Sequence, residues 1–166
     1  MPWYFAYGSN MNEARVLARI GATKRVLPGR LEGYSLRFNK ASRVPGIAHA
    51  NVVEAVGERV EGALFELLKP EQIHAMDPFE GYPHEYDRHR LAVLTPEGRI
   101  DAWVYIAGPE RLAEALKPAR EYLAHLLAGE AFVSRDYHRA LEAVEAVEGL
   151  DDATLARLGL SRATPR

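Results

Sequence analysis

Two short stretches of the chain hold residues whose types could do chemistry. The first is Tyr7-Gly8-Ser9-Asn10, which closes an aromatic and apolar run from Trp3 to Tyr7. Such a run reads as a buried strand ending in a tight turn, with a helix to follow. Gly8 allows close backbone approach, and N–H groups at the opening of a helix attract a carboxylate or phosphate through the helix dipole. Ser9 stands where a nucleophile could stand, but Asn10 and Met11 follow it where a nucleophile elbow needs glycine, and no His-Asp pair is implied. On residue types alone, an ordinary strand-to-helix turn fits the tetrapeptide equally well. The second stretch is Phe79-Glu80-Gly81-Tyr82-Pro83, read as a loop behind Pro78. Phe79 and Tyr82 flank Glu80, a setting that desolvates a carboxyl, raises its pKa and lets it accept and return a proton near neutrality. The plain alternative is a solvated loop glutamate.

Other chemistries lack their residues. No phosphate-binding P-loop, G-x-G-x-x-G, H-E-x-x-H or G-x-S-x-G pattern occurs. His74, His84 and His89 lie near Asp77, Glu85 and Asp87, but at spacings that match no standard metal-ligand pattern, so they read as solvated and no metal or cofactor is expected. A net charge of −2 leaves no basic excess to neutralise phosphates, which argues against a nucleic-acid partner. With 0 cysteines, disulfides and thiolate chemistry are excluded. No basic leader precedes the apolar N-terminus and no long apolar run follows, so no membrane span is expected and a cytoplasmic location is the default.

These residues must be positioned by a mixture of strands and helices. At 166 residues the chain reads as a single domain over 1–166, with the last ~15 residues a peripheral helical tail. Asn10 is expected to cap the helix after the first turn, with Glu13 three residues on, Ala14, Leu17 and Ala18 on its apolar face, and Gly21 ending it. From Lys24 to Leu68, Pro28-Gly29, Gly33, Pro45-Gly46 and Gly57 punctuate what reads as several short strands. Pro70 opens a short helix carrying Ile73 and Met76, which Pro78 stops. Tyr86 to Thr95 and Arg99 to Ile106 form a hairpin across Pro96-Glu97-Gly98. Beyond Gly108 the chain turns helical: Pro118 opens one helix closed by Gly129, Ser134 caps the next, and Asp151 caps a last short one.

Tyr4-Phe5-Ala6-Tyr7-Gly8-Ser9-Asn10-Met11 resembles the N-terminal substrate loop of the γ-glutamylcyclotransferase family, also called AIG2-like. Gly46-Ile47-Ala48, Val60-Glu61-Gly62-Ala63-Leu64-Phe65 and Met76-Asp77-Pro78-Phe79-Glu80-Gly81 resemble later blocks of that family in the same order. Pro118 to Tyr122 and Phe132 to Tyr137 continue the similarity, up to about Leu150. His49 departs from it, standing where a small polar residue or asparagine is common.

The resemblance implies an α+β fold, a small mixed β-barrel or strongly curved sheet surrounded by helices. It implies Glu80 as the catalytic acid/base, Tyr7, Gly8, Ser9 and Asn10 as the substrate loop, and Tyr7, Tyr86 and Tyr122 as hydroxyl donors at the pocket wall. The reaction it implies converts a small-molecule γ-glutamyl substrate to 5-oxoproline with release of an amine, using no cofactor. Two other functions remain open. A non-catalytic γ-glutamyl-binding module would have no reason to keep Glu80, and a Ser9-dependent amidase would release glutamate instead of 5-oxoproline.

Overall fold

The computed structural model describes residues 2–160. β1 (Trp3–Ala6) leads through a single 3-10 turn (Ser9–Met11) into α1 (Glu13–Ile20). Then come β2 (Arg25–Ala41), β3 (Ala48–Glu66), α2 (Gln72–Glu80), β4 (Tyr86–Thr95) and β5 (Gly98–Ala107). Three helices follow: α3 (Arg120–Leu127), α4 (Arg135–Glu142) and α5 (Asp152–Arg157). The strands close into a barrel in the order β1-β3-β2-β4-β5. Every pairing is antiparallel except that of β1 with β5, which is parallel and joins Tyr4 to Trp103. The expected small mixed barrel with helices around it is therefore the fold.

β1 is buried on both faces, which explains why its residues are aromatic or apolar throughout. Trp3 and Phe5 enter one apolar cluster with Leu31, Val52, Val60, Leu64 and Val104, whereas Tyr4 and Ala6 enter a second with Val16, Phe65, Ile73 and Met76. Gly29 and Gly62, partners in the β2–β3 ladder, make room for Phe5. A Cβ on Gly62 would stand 2.3 Å from the Ala6 carbonyl oxygen, and one on either glycine 3.1 Å from the Phe5 ring. With the Tyr7–Asn10 loop directly after it, β1 fixes that loop against the barrel.

Several local expectations need correction. The region from Lys24 to Leu68 holds two long strands of 17 and 19 residues, not several short ones. Gly33 and Gly57 lie inside those strands at positive φ and bend them rather than end them. The ladder shifts register between Glu32 and Tyr34 and again between Arg37 and Lys40. The cap of α1 is Asn12, whose side chain accepts from the Ala14 N–H, and not Asn10. The intervening 3-10 turn uses the Gly8 carbonyl to accept from the Met11 N–H, which delays the α-helix by two residues. Pro78 does not stop α2: proline removes one donor to the preceding turn, but the helix runs on to Glu80 and ends where Gly81 adopts a left-handed conformation, φ 63 and ψ 32. Glu80 is therefore the last residue of a helix, not part of a loop.

Elsewhere the punctuation reads as expected. Thr95 pairs with Gly98 across the β4–β5 hairpin, and Ser134 and Asp151 cap α4 and α5 through their side chains. The C-terminal helix is not laid loosely on the surface, because Leu155, Leu158 and Leu160 are buried in the larger apolar cluster.

Candidate active site

At one end of the barrel, the Tyr7–Asn10 loop, the C-terminal end of α2, the start of β4 and α3 converge on a cavity of about 330 Å³. Ser9, Glu80, Tyr86 and Tyr122 line both this cavity and a smaller void of about 30 Å³ beneath it, whose wall includes Tyr7, Gly8 and Asn10. The chain thus brings Tyr7, Gly8, Ser9, Asn10, Glu80, Tyr86 and Tyr122 to one place. A larger cleft of about 570 Å³ elsewhere is lined by Arg30, Arg59 and Glu61. There Glu61 is already engaged by Arg59 and by the Ser134 N–H and hydroxyl, so no acid is left free for chemistry.

The positioning of Glu80 begins with Asp77, one turn earlier on α2. Asp77 accepts from Arg88 at 2.8 and 3.0 Å and from the Tyr105 hydroxyl at 2.7 Å, pinning the helix to β4 and β5. Burial pushes the Asp77 carboxyl up, but the Arg88 and Tyr105 hydrogen bonds prevail and hold it below the usual carboxylate range. Glu80 contrasts with it. Among the described residues nothing forms a hydrogen bond or ion pair with its carboxyl. Burial raises its pKa above the usual glutamate value, opposed by the charges of Arg19, Arg15 and Lys40. Two carboxylates on one helix are thus driven in opposite directions, as acid/base groups and their structural neighbours are in enzymes.

Gly8 earns its place by proximity. A Cβ there would lie 3.0 Å from the Tyr122 hydroxyl and 3.5 Å from the Ala50 Cβ. The Tyr122 hydroxyl accepts the Ala50 N–H at 2.9 Å, and the Tyr86 hydroxyl donates to the Ala50 carbonyl at 2.7 Å. Ala50 sits where the register shift after Arg37 has taken β3 out of step with β2, so both of its backbone groups go to tyrosines. Tyr7 donates to the Tyr105 carbonyl at 2.5 Å. The protons of Tyr7 and Tyr86 are therefore committed to backbone, whereas the Tyr122 proton has no acceptor in the described protein. Burial raises the Tyr122 pKa to about 12, so that proton stays on at neutral pH.

Asn10 is buried and works inside the wall, donating to the Tyr4 hydroxyl at 2.8 Å and accepting from Arg19 at 3.3 Å. Ser9 accepts from the Arg15 guanidinium at 3.1 Å. An arginine cannot act as the base that a serine nucleophile needs. The Met11 and Asn12 N–H groups are spent in the 3-10 turn, and the Ser9 and Asn10 N–H groups have no acceptor among the described residues.

Sequence reasoning missed the cations. Arg15 and Arg19 both line the cavity, and Arg15 is buried, which lowers its pKa to about 10 but leaves it charged at neutrality. A signal was present: two arginines four apart on a short helix face repel each other unless something anionic lies between them. Lys40 is also buried and pairs with Glu85 at 2.5 Å. His49 tilts against the Tyr122 ring at 4.8 Å. Burial and the neighbouring Lys40 and Arg15 lower its pKa to about 4, so it is neutral, with a buried Nδ1 that has no protein partner. Among the described residues no three His, Cys, Asp or Glu side chains are grouped to hold a metal ion.

One end of the small barrel thus gathers a half-buried carboxyl without a protein partner, two arginines of α1 and a glycine turn around one cavity. Residues 4–124 match the family described as gamma-glutamyl cyclotransferase, AIG2-like, and the chain belongs to that family. A Methanocaldococcus jannaschii protein, named for gamma-glutamylcyclotransferase and RNase roles, is 23% identical over 103 residues, covering 61% of this chain and 44% of its own. The chain thus spans less than half of that curated relative. A solved gamma-glutamyl cyclotransferase superposes with a TM-score of 0.78 at 22% identity, covering 90% of this chain and 91% of the other. A human protein described as uncharacterized has the same TM-score at 23% identity, with 90% of each chain covered. A yeast cyclotransferase specific to glutathione aligns at 0.59 and 14% identity, over 84% of this chain and 93% of that one. At these identities the solved structures speak for the fold.

Proposed function

We propose that this protein is a γ-glutamylcyclotransferase that closes the γ-glutamyl group of its substrate into 5-oxoproline, with Glu80 as the proton carrier. One observation carries the reading: a carboxyl with no protein partner and a raised pKa lines a cavity shared with the Tyr7–Asn10 loop. Such a group is destabilising unless something it binds or does compensates.

In this mechanism the substrate's α-amine, freed of its extra proton by Glu80, attacks the γ-amide carbonyl carbon. The N–C bond of the ring forms, the bond to the departing nitrogen breaks, the proton held by Glu80 passes to the leaving nitrogen, and the second proton shed by the ring nitrogen ends on the released amine as its ammonium ion. No atom enters from water. Arg15, Arg19 and the free Ser9 and Asn10 N–H groups offer partners for the α-carboxylate or for the developing oxyanion, and Tyr122 offers a hydroxyl donor. Holding the flexible glutamyl chain in ring-forming geometry supplies several kcal/mol more, within the range of about 7–11 kcal/mol for well-oriented intramolecular reactions.

The test is incubation with γ-glutamyl amino acids, γ-glutamyl amines and glutathione, separating 5-oxoproline from glutamate by chromatography. Accumulation of 5-oxoproline is expected. Glutamate alone would favour hydrolysis at Ser9, and binding without turnover would favour a non-catalytic module.

A further inference from the structure

The cavity carries more positive charge than the γ-glutamyl head requires. Lys40 is neutralised by Glu85, which also pairs with Arg111 at 3.2 Å. Arg15, Arg19, Arg43 and Arg157 line the same cavity, and among the described residues none of them forms an ion pair. Against these four stand Glu80, whose role is to give and take a proton, and Glu85, which also feels the Arg43 charge but already serves Lys40 and Arg111.

The arginines divide by position. Arg15 and Arg19 stand on α1 beside the substrate loop, and Arg15 is hydrogen-bonded to Ser9. Arg43 and Arg157 line only the outer cavity and not the inner void. Arg43 comes from the turn between β2 and β3, Arg157 from the last residue of α5. Arg157 donates to the Arg43 carbonyl oxygen at 3.2 Å, which brings the two elements together at the mouth. α5 lies beyond residues 4–124, the part of the chain that matches the family.

We propose that Arg43 and Arg157 form a second carboxylate subsite, which selects γ-glutamyl compounds whose leaving group is an amino acid or peptide over those that release an amine without a carboxylate. This rests on the cyclotransferase reading. With the γ-glutamyl head at the inner end, beside Glu80 and the loop, the leaving group extends to the mouth, where its carboxylate meets both guanidiniums. Both arginines are exposed at that mouth, so the attraction is screened by salt and modest.

The experiment compares γ-glutamylalanine with γ-glutamylethylamine, which differ only by the carboxylate on the leaving group. Wild type is expected to favour the acid by about tenfold in kcat/KM, and the ratio to shrink in about 0.5 M salt. Arg43→Gln and Arg157→Gln should each bring the ratio toward one, while Arg157→Lys, which keeps the charge, should retain most of it. Equal rates on the two compounds in wild type would overturn the subsite and leave the cyclotransferase reading standing. If neither compound yields 5-oxoproline, that reading fails, and calorimetric titration into Glu80→Gln still decides the subsite. Tighter binding of γ-glutamylalanine, lost in the Glu80→Gln, Arg157→Gln double variant, would support it; equal or absent binding of the two compounds would overturn it.

Discussion

Replacing Tyr122 by phenylalanine removes one oxygen and tests the joint between the barrel and the loop. That oxygen accepts the N–H of Ala50, a residue 1% exposed. Phenylalanine leaves this donor buried without a partner, which costs about 1–3 kcal/mol. For a domain of this size each kcal/mol shifts the melting temperature by roughly 2–4 °C, so a fall of about 2–12 °C is expected. Tyr86→Phe removes a donor from the carbonyl of the same residue and should act in the same direction, less strongly because under-satisfied carbonyls are better tolerated than N–H groups. Thermal unfolding followed by circular dichroism reads both variants. If the Tyr122 proton also reaches a charged substrate group, kcat/KM should fall by about 10–100-fold, the equivalent of a charged hydrogen bond of roughly 1.5–3 kcal/mol. A Tyr122→Phe protein melting within about 1 °C of wild type would refute the reasoning, because a lost partner for a buried N–H cannot be free of cost.

Glu80→Gln should lower turnover by at least about 10²-fold and yet melt higher than wild type at pH 7. The folded-state pKa of Glu80 is raised, so its ionised form disfavours the fold above the unfolded carboxylate pKa of about 4.3, and the gain from glutamine should vanish as the pH falls below that value; turnover within threefold of wild type would remove Glu80 from the mechanism. Asp77→Asn should destabilise by about 2–4 kcal/mol at neutral pH, since it unpairs Arg88. Its pKa is depressed, so the stability it contributes is present above about pH 3.9 and lost in more acidic solution; urea titrations at pH 7 and pH 3 showing the same difference would contradict this. Ser9→Ala should cost only a few-fold in turnover, because its hydroxyl only accepts from Arg15; a glutamyl adduct trapped on Ser9 of the native protein would reverse that view.

Much of the fold was legible where a residue type has one local use. Ser134 and Asp151 cap helices because their oxygens reach free N–H groups, and Pro96-Glu97 turns a hairpin. Glycine was ambiguous: Gly33 and Gly57 take positive φ within long bent strands, a use that local pattern does not separate from a turn. Pro78 misled for a related reason, since a proline near a helix end costs one hydrogen bond that the last turn can spare. In the site, the loop and Glu80 stood out by local composition and by family resemblance. Arg15, Lys40 and Arg157 did not, because a basic side chain on a helix or strand face looks solvated until the other wall of the cavity is known.

The Arg15 guanidinium holds Ser9 with one nitrogen and the Gly159 carbonyl with another, at 3.1 Å each, across 144 residues of chain. During synthesis the loop leaves the ribosome well before Gly159 does. A nascent chain that has completed the barrel but not α5 already contains Tyr7 to Asn10, Glu80 and Tyr122, yet lacks the Ala156–Gly159 wall of the cavity. Its arginines then face bulk water, where a carboxylate binds weakly and proton transfer competes with solvent. Competence therefore comes with the α5 segment, and a cut near residue 159 should be felt at Ser9, far away along the chain.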